Sequence, residues 1–91
     1  MAYSKLEEML ERQRAFSLLV EERIRENYAK GKGEWRVYPP EKLFARMSME
    51  VGELSEAIFE EERPERVSHE AADVAAMAMM LSDAYPHWRP D

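Results

Sequence analysis

The chain has 91 residues, enough for one domain but too few to bury more than about 60–65% of its unfolded surface. It carries 13 basic and 19 acidic side chains, a formal charge of −6, which argues against a nucleic-acid polymer as the partner. It has no cysteine, so disulfides and zinc–thiolate sites are excluded. The opening MAYSKLEEMLERQR lacks the apolar stretch of a signal peptide, and no segment reaches the roughly 20 apolar residues of a membrane span. The expectation is a soluble, cytoplasmic protein with no membrane partner.

Glycine is scarce and two-residue alternation of Val, Ile and Thr is absent, so the chain reads as all-α. The prediction is one domain over residues 1–91: a bundle of about three long helices, with an irregular tail over 86–91. The first helix is predicted from Ser4, a good N-cap, to Lys30. Its apolar positions Leu6, Met9, Leu10, Phe16, Val20 and Ile24 follow helical spacing, and Gly31-Lys32-Gly33 ends it. Pro40 suits the start of a second helix reaching Glu61, with Leu43, Phe44, Met47, Val51, Leu54 and Ile58 on one stripe. On a helical wheel Arg46, Glu50, Glu53 and Ala57 fall on the adjoining flank. Pro64 opens a third helix running to Tyr85, apolar nearly all round and so expected to be covered on most sides. Three helices are few for a closed bundle, so oligomerisation is expected to complete it.

Two acidic pairs stand out. Glu50-x-x-Glu53 lies beside the core stripe of the second helix. Glu70-x-x-Asp73 lies in the third, where Asp73 is the only charge between Ala71 and Leu81. Composition alone yields roughly four acidic pairs at i,i+3, and Glu8/Glu11, Glu53/Glu56 and Glu62/Glu65 are of that ordinary kind. Placement, not spacing, is therefore the signal. A carboxylate in apolar surroundings needs a cation, a donor or a metal. Two carboxylates 4 Å apart repel by about 4 kcal/mol at an effective dielectric near 20, so four converging ones raise their pKa values or bind a cation. Such hard oxygen ligands select magnesium, manganese or calcium.

The string Glu50-Val51-Gly52-Glu53-Leu54-Ser55-Glu56-Ala57, followed by Glu70-Ala71-Ala72-Asp73-Val74, resembles the MazG-like, all-α nucleotide pyrophosphohydrolase superfamily. Its hallmark is ExxE on one helix and ExxD on the next. The likeness spans Tyr38 to Tyr85. It implies cleavage of (deoxy)nucleoside triphosphates between the α and β phosphates, giving nucleoside monophosphate and pyrophosphate. It also implies Mg2+, with Mn2+ as a substitute, held by Glu50, Glu53, Glu70 and Asp73. Glu50 or Glu53 would act as the catalytic base, and relatives assemble as homodimers or homotetramers. Many relatives carry a further glutamate where this chain has Met49, which leaves the number of ions open. Asp73→Asn would on this reading abolish turnover yet stabilise the metal-free protein by relieving repulsion.

The lead-in Tyr38-x-Pro40 is similar to a His-x-Pro element of the dCTP pyrophosphatase branch. That likeness makes Tyr38, and then Trp35, candidates to stack on the base; sealing the core is the alternative for each. Arg46 either contacts phosphate or pairs with Glu50 one turn on. Lys42, Lys30 and Lys32 are further phosphate candidates. His69 lies off the acidic face, and an ExxH ligand pair is absent, which disfavours a di-iron site. Phosphoribosyl-ATP pyrophosphohydrolase is the rival activity, and a helical interaction module is the rival class.

Overall fold

The computed structural model describes residues 4–31 and 35–87. Lys32, Gly33, Trp88 and the rest of the tail lie outside the described residues. Three helices form: α1 (Lys5–Ala29), α2 (Pro40–Phe59) and α3 (Pro64–Ala84), with a short 3₁₀ turn at Tyr85–His87. No strand occurs among the described residues, and none of the helices is long and apolar enough to cross a membrane.

Local chemistry sets most of the helix ends. The Ser4 hydroxyl accepts from the Glu7 amide at 3.0 Å, closing the first turn of α1. Gly31, at φ +83, ends α1 in the left-handed conformation, and its amide bonds back to the Tyr28 carbonyl. Pro40 and Pro64 each open a helix, where the missing N–H costs nothing. The end of α2 departs from expectation, stopping at Phe59 instead of Glu61. The Glu62 amide reaches the Ala57 carbonyl and the Glu61 amide reaches Ile58, which closes the helix through a left-handed residue. That residue is Glu61, at φ 52, in a place glycine normally takes.

The core is small. Leu43, Met77 and Ala84 form its centre, with Trp35, Tyr38, Met47, Met80 and Leu81 packed around them. Alanines 57, 72, 76 and 84 are also buried, and such small side chains let helices approach closely. The segment between α1 and α2 is tied to the far end of α3. Asp83 there accepts from Trp35 Nε1 at 3.2 Å and from Arg36 Nε at 2.9 Å.

α1 packs on α3 through its C-terminal half; residues 5–15 are all exposed. Leu6, Met9 and Leu18 show 65%, 69% and 69% of their surface. α3, expected to be covered on most sides, is covered on the faces turned to α1 and α2, and leaves Ala78 and Met79 exposed.

Candidate functional site

A cleft of about 230 Å³ opens where the three helices meet. α2 supplies Arg46, Glu50 and Glu53 to it, at i, i+4 and i+7, which one helical flank presents together. α3 supplies Glu70, Asp73, Ala76, Met77 and Met80. α1 supplies Arg23, Ile24, Asn27 and Lys30, and Trp35 closes one end. α2 and α3 therefore bring four carboxylates and Arg46, and the α1 side brings further donors and cations.

Glu50, Glu53 and Glu70 converge, each offering an oxygen within 4.8 Å of the others. Glu70 is buried, with 7% of its surface exposed. Arg66, one turn earlier, donates to its Oε1 at 2.8 Å. Its Oε2 is buried with no hydrogen-bond partner. An orphaned carboxylate oxygen costs about 1–3 kcal/mol or more, so this atom is where a cation would be most stabilising. The Glu50 carboxyl is pushed up from 4.5 to about 7, first by burial, then by the charge of Glu53 and a hydrogen bond with it, then by Asp73 and Glu70. Near neutral pH Glu50 is therefore only partly ionised, and a cation at the cluster would displace its proton. An all-oxygen set of carboxylates fits magnesium or manganese, with Glu50, Glu53 and Glu70 to hold it.

Asp73 is placed differently. It lines the same cleft, but Arg23 grips both its oxygens, Nε to Oδ1 at 2.9 Å and Nη2 to Oδ2 at 3.0 Å. The two side chains are 17% and 12% exposed. The pairing, with Glu26 taking Arg23 Nη1 at 2.7 Å, holds the guanidinium pKa above its ordinary value. Asp73's burial is accounted for by this cation, and the unsatisfied carboxylate of the cluster is Glu70.

The substrate candidates divide. Trp35 and Arg46 line the cleft, as does Lys30. Tyr38 and Lys42 are not among its lining residues. The Tyr38 ring packs against the core, and Lys42 Nζ lies 4.4 Å from the ring centroid. Arg46 forms no ion pair with Glu50; its guanidinium lies 5.8 Å from the Tyr38 ring, which leaves its charge beside the cleft. His69 is half-buried and outside the cleft lining.

Arg23 and Asn27 escaped the sequence reading. The signal was present: Phe16, Val20, Arg23, Asn27 and Lys30 lie at helical spacing, so the inward stripe of α1 turns polar halfway along. A polar break in a core-facing stripe marks a lined cavity. No family model, curated protein or solved structure matches the chain.

Proposed function

We propose that this chain is a magnesium-dependent nucleoside triphosphate pyrophosphohydrolase of the MazG-like kind. The observation that carries the reading is the orphaned Oε2 of buried Glu70, beside Glu50 and Glu53 in a cleft whose lining also includes Arg46 and Lys30. Acids and cations lining one cleft suit a metal–polyphosphate complex better than either ligand alone. The ExxE and ExxD strings supply the reaction class by resemblance, including cleavage between the α and β phosphates.

Held by Glu50, Glu53 and Glu70, magnesium would neutralise the polyphosphate and lower the pKa of a water. The chain's own groups do the rest. Glu70 is fixed by Arg66 and would sit on the ion, so it does not turn freely to accept a proton. Glu50, whose carboxyl holds a proton more tightly than an ordinary one, and its neighbour Glu53 are the proposed acceptors of the water's proton. Lys30 and Arg46 face the phosphates, and Trp35, pinned by Asp83, offers an aromatic surface at the end of the cleft. Tyr38, which packs on the core and is not among the cleft's lining residues, is the weaker base candidate of the two.

The reading includes assembly as a homodimer or homotetramer. What supports it is a core with, among the described residues, a single large fully buried side chain, Leu43, beside an α1 that exposes Leu6, Met9 and Leu18. The decisive experiment is a panel of ribo- and deoxynucleoside triphosphates, with phosphoribosyl-ATP included, assayed with Mg2+ for pyrophosphate. Turnover of a triphosphate that Glu70→Gln abolishes supports the proposal. Turnover of phosphoribosyl-ATP alone transfers it to the rival activity. No turnover, with no metal bound, favours an interaction module.

A further inference from the structure

Four carboxylates and three cations line the cleft: Glu50, Glu53, Glu70 and Asp73 against Arg23, Lys30 and Arg46. With all seven groups ionised the formal balance is one negative charge, which does not attract an anion. One divalent ion turns that balance to one positive. Arg23 is the cation tied most directly to the acids, because its two-pronged edge is spent on Asp73 of the same cleft.

We infer that Arg23 is a phosphate-binding residue held in reserve: Asp73 sequesters its guanidinium in the metal-free protein, and metal binding releases it to an anionic ligand. The inference rests on the metal–polyphosphate reading above and adds an order to it, metal first and phosphate second. The geometry supplies the exchange. A guanidinium edge that fits a carboxylate at two oxygens fits a phosphate in the same way. Asp73 lies one turn from Glu70 on α3, so once it leaves Arg23 it can turn toward an ion seated on Glu70's unpartnered oxygen. Glu26 keeps hold of Nη1 from α1 itself, so the guanidinium stays at the cleft when Asp73 lets go. Asn27, the next turn of α1, adds an amide donor on the same wall.

The test is a pair of titrations on the full chain. Metal-free protein is titrated with Mn2+, and metal-saturated protein is then titrated with inorganic pyrophosphate. Wild type is expected to bind pyrophosphate only after metal. Arg23→Gln is expected to bind Mn2+ as tightly as wild type or up to about tenfold tighter, since a competing cation is gone. The same variant should bind pyrophosphate about 10- to 100-fold more weakly, the loss expected for charge-assisted hydrogen bonds. The opposite signs separate a ligand switch from a mere scaffold.

Weaker Mn2+ binding in the variant, or unchanged pyrophosphate binding, overturns the inference while leaving the metal site standing. Pyrophosphate binding to metal-free wild type overturns it too. Absence of Mn2+ binding in wild type overturns the metal–polyphosphate reading and this inference with it. If Arg23→Gln does not fold, Arg23→Lys repeats the test. It keeps a charge beside Asp73 but loses the two-pronged edge, so weaker pyrophosphate binding is expected and an unchanged affinity overturns the inference.

Discussion

Glu50→Gln removes one of three carboxylates whose oxygens lie within 4.8 Å of one another. At that separation a pair of charges repels by about 3–4 kcal/mol at an effective dielectric near 20. The rise of the Glu50 carboxyl from 4.5 to about 7 corresponds to a similar ceiling of about 3 kcal/mol. Glu50 is only half-buried and water screens it, so the effect on stability is about 1–2 kcal/mol. The direction follows from linkage. A folded-state value above the unfolded one means that the native state holds the proton more tightly. Stability is therefore full below about pH 4.5 and is lost as pH rises through about 7. Glutamine carries no charge at any pH and can still donate to Glu53. In EDTA at about pH 8 the variant should melt roughly 5–15 °C above wild type, and at about pH 4.5 the gap should close. Equal melting temperatures across that range, or a lower one for the variant at high pH, would refute the electrostatic reasoning.

Asp73→Asn should destabilise the metal-free protein by about 1–3 kcal/mol, because it breaks a two-pronged, largely buried pair with Arg23; chemical denaturation in EDTA measures this. Mg2+ should raise the melting temperature of wild type, with about 2.7 kcal/mol of stabilisation at a hundredfold excess over Kd, and Glu70→Gln should abolish that shift. Glu61→Gly should stabilise the chain by about 0.5–1 kcal/mol in a denaturant titration, since glycine adopts φ 52 without a side-chain clash.

The helices were legible because their signals are local. Ser4, Pro40, Pro64 and Gly31 each act on the backbone within a turn of themselves, and their positions follow from the sequence. The end of α2 was not legible, because a glutamate stands where glycine would announce the turn. The cleft was partly legible. Helical spacing puts Arg46, Glu50 and Glu53 on one flank and Glu70 and Asp73 on one face, and the cleft is lined by both sets. The anomaly at Asp73 was visible, but its resolution was not. Arg23 is fifty residues away on α1, and spacing rules carry no information across that distance. The expected stabilisation by Asp73→Asn is reversed for the same reason. Tyr38 and Trp35 both pack against the core, and of the two Trp35 also lines the cleft, a difference that packing and not sequence order decides. Asp83 holds Trp35 at the cleft, a tertiary contact that no local pattern predicts.

The central claim is metal-dependent cleavage of a nucleoside triphosphate between its α and β phosphates. Phosphorus NMR of the products formed with Mg2+ tests it most directly. The account predicts nucleoside monophosphate and pyrophosphate from wild type, and no reaction with EDTA or with Glu70→Gln. Formation of nucleoside diphosphate and orthophosphate, or turnover that survives EDTA, would contradict it.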